Sequence, residues 1–216
     1  MIQLASQICW ESDASGNRMG ALSTSFEQAD VALVMLRIGE KSVRRQWFSD
    51  PNRASNSRLL TIRHFDPDMK RLKNCLLESN DPKSFEKGIA ELLFLLNFIP
   101  CQQVETDAPD LVVTTPEGRI VLFECTLRTS DFQAKLGKLT DRRVSLSKAL
   151  KENGYPLDVS AVLVCRVPQD QLLFTESAKA AGVILVTLEG IRDLLYSVNQ
   201  QVQPDQLLDA ALKALK

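Results

Sequence analysis

The chain is poor in the residues on which transition-metal and histidine-dependent catalysis rest. It has one histidine, His64, and five cysteines that lie far apart and form no Cys-x-x-Cys pair. These counts argue against a zinc centre, a Ser–His–Asp triad and a disulfide framework. We therefore expect reduced, mostly buried thiols in a cytoplasmic protein.

Long apolar runs and a strong net charge are absent as well. No apolar run is long enough to cross a bilayer, and the N-terminus lacks the basic and apolar regions of a signal peptide, so we expect no membrane partner. The 26 basic and 27 acidic residues leave a net charge of −1. Any contact with nucleic acid must then come from a local basic patch.

The first part of the chain, residues 1–80, is irregular and contains a predicted β-hairpin. Such a segment is too short to close a core of its own, so we expect it to cover the second part or to end an upstream domain. The predicted elements are strands Val31–Ile38 and Ser42–Phe48 joined by Gly39-Glu40, a loop over Asn52–Ser57, and a helix that starts at Asp66-Pro67 and runs through Leu76.

The second part, residues 81–216, alternates helix and strand patterns. The order predicts an α/β fold with a mixed sheet of four or five strands and helices on both faces. The predicted elements are a helix from Asp81-Pro82 to Leu96, strands Gln102–Glu105, Leu111–Thr114 and Arg119–Cys125, helix Asp131–Lys151, strand Val159–Val167, helix Thr175–Ala181, strand Val183–Val186, and helices Leu188–Ser197 and Asp205–Leu215.

Two acids mark the predicted hairpin of the second part. Asp110 opens one strand, and Glu124 lies near the end of its partner among apolar neighbours. An acid enclosed in this way needs a cationic partner or a metal. Two converging carboxylates supply part of the oxygen shell of Mg²⁺ or Mn²⁺, and water and phosphate can complete that shell.

A basic stripe follows Glu124 on the next predicted helix. Lys135, Lys138 and Arg142 lie three and four residues apart and share one side of it. Lys135 borders the apolar face, so its ammonium is the better placed of the two lysines to reach a phosphate beside Glu124. Lys138 lies further from the apolar face of the helix. We expect Lys138, Arg142 and the adjacent Arg143 to contact nucleic acid.

The first helix of the second part offers two candidates for a third acid. Glu86 lies near the helix N-terminus, where the helix dipole favours a carboxylate, and Glu91 lies between apolar residues. The residues alone do not separate the two.

These elements resemble the restriction-endonuclease-like superfamily of PD-(D/E)xK nucleases, and within it the Mrr-type branch. The resemblance covers residues 81–197. It rests on Phe85-Glu86 with Ala90-Glu91-Leu92-Leu93, on Pro109-Asp110, on Glu124-Cys125-Thr126, and on the closing segments Phe174-Thr175-Glu176-Ser177-Ala178, Gly182-Val183-Ile184-Leu185-Val186 and Leu188-Glu189-Gly190-Ile191.

The resemblance implies a Mg²⁺-dependent endonuclease acting on DNA, in defence or repair, with Asp110, Glu124 and Glu86 as metal ligands. The sequence departs from the family at Thr126, which stands where the motif has lysine. In several branches that lysine comes from the next helix, where Lys135 and Lys138 lie. The alternative is a catalytically inactive module of the same fold that binds nucleic acid or assembles with a partner protein.

Overall fold

The computed structural model describes residues 5–12, 16, 18–24, 31–38, 41–49, 56–103, 107–155, 157–172, 175–199 and 202–215. Two antiparallel hairpins lie in the N-terminal part. The first pairs β1 (Cys9–Ser12) with β2 (Arg18–Ala21), and the second pairs β3 (Val31–Ile38) with β4 (Lys41–Ser49). The second hairpin confirms the predicted strands, while its turn, Gly39-Glu40, lies outside the described residues.

Two helices follow, and the first was not predicted. α1 (Ser57–Phe65) begins where the sequence suggested the end of a loop, because the buried side chain of Asn56 caps it by accepting from the N–H groups of Arg58 and Leu59. α2 (Lys70–Leu77) starts later than predicted. Asp66 lies before it and accepts from three N–H groups of its first turn, those of Lys70, Arg71 and Leu72.

The helices of the α/β unit match the predicted pattern. α3 (Pro82–Leu95) is capped by Asp81, whose carboxylate accepts from the N–H groups of Lys83 and Ser84. The chain leaves this helix through Asn97, which has a positive φ of 69°. The remaining helices are α4 (Phe132–Glu152), α5 (Thr175–Ala180), α6 (Leu188–Ser197) and α7 (Pro204–Ala214).

A five-stranded mixed sheet in the order β5-β6-β7-β8-β9 forms the centre of this unit. β5, β6 and β7 run antiparallel, and β7, β8 and β9 run parallel. This architecture confirms the predicted fold class. The strands are β5 (Ile99–Gln102), β6 (Leu111–Thr114), β7 (Ile120–Thr126), β8 (Val159–Cys165) and β9 (Ile184–Val186).

The position of β5 corrects the prediction of a strand over Gln102–Glu105. The strand starts at Ile99 and includes Pro100, which lies opposite Val113 of β6. Proline has no backbone N–H group to donate to a neighbouring strand. Because β5 forms the edge of the sheet and has a neighbour on one side only, it tolerates this residue. Residues 104–106 lie outside the described part of the chain.

Apolar side chains cover both faces of the sheet. Alternate residues of β7 point to opposite faces, so Phe123 packs with α3 and Leu122 packs with α4. Leu59 and Leu76, from α1 and α2, belong to the same apolar cluster as Phe123. The division of the chain at residue 80 stays a prediction. None of the described helices combines the length and apolar character needed to cross a membrane.

Asn56 joins three helices, and we predict that its loss destabilises the protein. Its side-chain amide donates to the carbonyls of Leu95 (2.8 Å) and Val198 (3.0 Å). Asn56→Ala removes a helix cap and leaves two carbonyls without a donor, so the free energy of unfolding should fall by about 3 kcal/mol. Urea unfolding measures this loss. Asn153→Ala, which replaces an exposed asparagine whose side-chain amide donates to the Ala149 carbonyl, should change it by less than about 0.5 kcal/mol.

Candidate active site

The pairing of β6 with β7 brings Asp110 and Glu124 to the same end of the sheet. Leu111 lies opposite Phe123, so Asp110, which precedes β6, stands beside the residues that follow Phe123. The Asp110 Oδ2 atom accepts a hydrogen bond from the N–H of Cys125 at 2.7 Å. This bond fixes the first acid against the strand that carries the second.

Lys135 of α4 joins the two acids. Its Nζ atom lies 3.0 Å from Asp110 Oδ2, 3.1 Å from Glu124 Oε2 and 2.6 Å from the carbonyl oxygen of Cys125. Three protein oxygens therefore surround one ammonium group and use all three of its donors. Phe132 and Leu136 are buried on either side of Lys135, so the helix is held against the sheet at this point.

Burial dominates the electrostatics of the site. The Glu124 side chain is only 5% exposed. Burial raises its pKa, the charge of Asp110 adds to the rise, and the opposing effects of Lys135 and Arg142 do not cancel it. Burial also acts to lower the pKa of Lys135. The charges and hydrogen bonds of Asp110 and Glu124 together outweigh that effect and raise it.

Arg142 is the second cation on Glu124. Its Nη1 atom donates to Glu124 Oε1, and its Nη2 atom lies 3.5 Å from an oxygen of the exposed Asp107. Glu124 thus has a different cation on each oxygen, and the charges of Asp110, Glu124, Lys135 and Arg142 sum to zero. The structure pairs Arg142 with Glu124, and its predicted contact with nucleic acid stays a prediction.

Glu86 lies at the same edge, on the α3 side of the sheet. It is buried and pairs with Lys83 at 2.9 Å. The hydrogen bond and charge of Glu86 raise the pKa of Lys83, and the charge of Asp110 contributes, so this pair is electrostatically part of the site. Glu91 lies elsewhere: burial and then the charge of Asp66 raise its pKa. Of the two helix acids, Glu86 is the one that the fold brings to the site.

The other predicted residues are placed differently. Lys138 is exposed on α4 and has no ion pair within the described part of the chain. Arg143 donates to the carbonyls of Gly182 (2.6 Å) and Ala181 (2.7 Å), so its guanidinium connects α4 to the turn before β9. Nucleic-acid binding by either residue stays a prediction. Thr126 donates its hydroxyl to the carbonyl of Arg128 and supplies no charge.

A divalent cation is compatible with these oxygens. Asp110 and Glu124 converge on one point, the Cys125 carbonyl faces the same point, and Asp110 Oδ1 accepts no hydrogen bond from the described residues. Mg²⁺ prefers oxygen ligands and binds through one or two carboxylates while keeping water and phosphate ligands. No group of three or more metal-binding side chains occurs within the described ranges. The two acids would therefore be the side chains that hold the cation.

Besides the pairing of Arg142 with Glu124, two further contacts of the site were not predicted. Lys83 pairs with Glu86, and Asp107 contacts Arg142. The three-residue spacing of Lys83 and Glu86 on one helix is a signal that could have revealed the first pair. Asp107 lies in a loop without periodicity, so no sequence pattern indicates it.

The fold is similar to that of the small subunit of the heterodimeric restriction endonuclease R.BspD6I, one of eight solved chains that match. The TM-score is 0.47, the sequence identity is 12%, and the match covers 70% of this chain and 89% of that chain. The likeness concerns the arrangement of helices and strands alone. No protein-family model matches the chain, and no curated protein is similar to it in sequence.

Lys135→Met should destabilise the protein in a pH-dependent way. Without the ammonium, Asp110 and Glu124 repel each other in a buried site, so the free energy of unfolding should fall by about 3 kcal/mol at pH 8. The folded state then holds protons on these acids more tightly than the unfolded state does. The deficit should therefore shrink as the pH falls to 5, while Lys135 of the wild type stays charged throughout.

Urea unfolding of both proteins at pH 5 and pH 8 measures this difference. Lys138→Met is the matched control because it removes an exposed lysine from the same helix. It should change stability by less than about 0.5 kcal/mol at either pH. A deficit of equal size at both pH values for Lys135→Met would show that the two acids do not depend on this ammonium.

Proposed function

We propose that the chain is a metal-dependent endonuclease that hydrolyses phosphodiester bonds in DNA. One observation carries the proposal: a single ammonium, that of Lys135, lies within 3.1 Å of both Asp110 and Glu124. Two acids and an amine at one point are the groups that phosphodiester hydrolysis uses, the acids to hold a hard cation and the amine to balance charge on the phosphate. Lys135 would take the part of the lysine that the motif lacks at Thr126.

Each residue of the site has a distinct role in this mechanism. Asp110 and Glu124 would hold the cation, with Glu86 directly or through water. The cation, when bound, supplies a Lewis acid for the phosphate and lowers the pKa of a water ligand. Lys135 would exchange one of its three protein contacts for the oxygens on which negative charge develops, and would orient the attacking water. In the metal-free site, Asp110 and Glu124 raise the pKa of Lys135, so its amine is the charged donor that this role requires.

The finer assignment follows the sequence resemblance. Phe85-Glu86 begins the helix motif of the Mrr-type branch, and Glu86 is buried at the edge where Asp110 and Glu124 meet. This placement supports the assignment to that branch and Mg²⁺ or Mn²⁺ as the cofactor. A cytoplasmic role in defence or repair follows from the resemblance alone. Lys138 is exposed on the helix that carries Lys135 and would contact the DNA backbone.

A second function is favoured by a specific observation. Arg142 already occupies one oxygen of Glu124, and Lys135 occupies the other, so the acids are neutralised without a metal. A site of this kind can persist as a structural ion network in a module that binds DNA without cutting it. The assays below separate the two functions.

The first assay measures cleavage. The wild type with Mg²⁺ or Mn²⁺ should cut DNA, and Lys135→Ala should reduce the rate by about 10²-fold or more, because the charge that develops on the phosphate loses its donor. DNA binding by Lys135→Ala should remain close to that of the wild type. Lys138→Ala should instead weaken binding and reduce its salt dependence, since it removes one phosphate contact.

Lys148→Ala serves as the control because it removes an exposed lysine from the far end of the same helix. Cleavage that survives in the double variant Lys135→Ala, Lys138→Ala would show that α4 does not supply the catalytic amine. A wild type that binds DNA and never cuts it with either metal would support the non-catalytic module.

The second assay measures metal binding without cleavage. Mg²⁺ or Mn²⁺ at about 100 times its dissociation constant should stabilise the wild type by about 2.7 kcal/mol and raise its melting temperature. Asp110→Asn and Glu124→Gln should each remove the rise, because each deletes one of the two carboxylates. Glu117→Gln, an exposed acid at the opposite end of the hairpin, should leave it intact. A rise that persists in both site variants would place the metal elsewhere.

A further inference from the structure

Arg166 lies at the edge of the candidate active site. It directly follows β8, and its backbone N–H donates to the carbonyl of Thr126 at the end of β7 (3.0 Å). Its guanidinium carbon lies 5.6 Å from the centre of the Phe85 ring. Phe85 directly precedes Glu86, so the guanidinium stands between the end of β7 and the first turns of α3. It approaches the site from the sheet face opposite to the one on which α4 carries Lys135.

The hydrogen bonds of Arg166 are incomplete. Its Nη1 atom is the one buried side-chain nitrogen or oxygen in the described part of the chain that has no hydrogen-bond partner. Its Nη2 atom reaches Asn80 Oδ1 at 3.4 Å, which is long for such a bond. No ion pair of the described residues includes Arg166. Arg142 and Arg143, by contrast, each donate to two acceptors.

The acids of the candidate active site already have cationic partners. Glu86 forms an ion pair with Lys83, and both Asp110 and Glu124 form ion pairs with Lys135. A cation that is partly withdrawn from water without a partner costs free energy, and burial lowers the pKa of Arg166 accordingly. The residue is still partly exposed, so its last side-chain torsions can turn the guanidinium toward an anion in solvent.

We propose that Arg166 binds a backbone phosphate of duplex DNA beside the phosphate that lies over Asp110 and Glu124. The inference rests on the proposed function for the identity of the anion. A phosphate accepts two parallel hydrogen bonds from a guanidinium and would give Arg166 the acceptors that the protein does not provide. Arg166 would then hold the DNA backbone from the sheet face opposite to the one on which α4 lies.

A purely structural role for Arg166 predicts different results. In that case the guanidinium packs on the Phe85 ring, and its loss lowers stability without changing DNA binding. Arg166→Met keeps a long apolar side chain over the ring and removes the charge. Arg166→Lys keeps the charge and removes the planar guanidinium with its two parallel N–H donors. Arg119→Met is the matched control, since Arg119 pairs with Asp209 at the opposite end of β7.

The experiment measures binding of a short fluorescent DNA duplex across a series of salt concentrations, together with urea unfolding of each variant. Arg166→Met should bind the duplex about tenfold more weakly than the wild type does. Its salt slope, the fall of the logarithm of the binding constant with the logarithm of the salt concentration, should be smaller by about 0.9. The variant should be at least as stable as the wild type. Arg166→Lys should keep the salt slope and bind with intermediate affinity. Arg119→Met should bind DNA as the wild type does.

The outcomes separate this inference from the proposed function. An unchanged affinity and salt slope in Arg166→Met, or a wild type that does not bind the duplex, overturns the inference. If the wild type cuts DNA but Arg166→Met keeps the salt slope of the wild type, the nuclease assignment stands and the role of Arg166 does not. If Arg166→Met loses affinity and slope but the wild type never cuts, phosphate binding by Arg166 stands and catalysis does not.

Discussion

The contact between the Lys135 ammonium and three oxygens is the interaction on which the rest of the site depends. Asp110 and Glu124 belong to neighbouring strands, and both are withdrawn from water to a degree that two adjacent carboxylates cannot tolerate alone. The ammonium offsets their repulsion and, through the Cys125 carbonyl, also binds the strand itself. One lysine therefore fixes the first turns of α4 to the edge of the sheet and sets the geometry of the acids.

The charge balance of the site limits how it can function. Because Arg142 and Lys135 occupy both oxygens of Glu124, an incoming cation cannot simply add to the acids but must exchange with one of these partners. Arg142 is the more readily exchanged of the two, since its other contact is a 3.5 Å pair with the exposed Asp107. Under the proposed function, a guanidinium released in this way would stand beside the phosphate of the DNA. The predicted DNA contact of Arg142 and its observed pairing with Glu124 are therefore compatible as successive states.

The sequence predicted the parts of this protein that are governed by local patterns. The Asp81 cap and the apolar spacing predicted helix α3. The position of Lys135 at the border of an apolar face predicted that its ammonium lies close to Glu124. Helix α1 was missed because its cap, Asn56, derives its importance from the distant carbonyls of Leu95 and Val198. The pairing of Arg142 with Glu124 was missed for a similar reason. Helical spacing shows which residues share a face, but it does not show which atom lies opposite them.

Thr126, which stands where the resemblance predicts a lysine, has a structural role of its own. Residues two apart on a strand share a face, so a lysine at this position would approach Glu124 from within β7. Thr126 instead exchanges hydrogen bonds with the backbone of Arg128, its hydroxyl donating to the carbonyl and accepting from the N–H. These bonds shape the turn from which α4 starts at Phe132. The same turn brings Lys135 to Glu124 from the helix, so Thr126, which carries no charge, helps to position the lysine that pairs with Glu124.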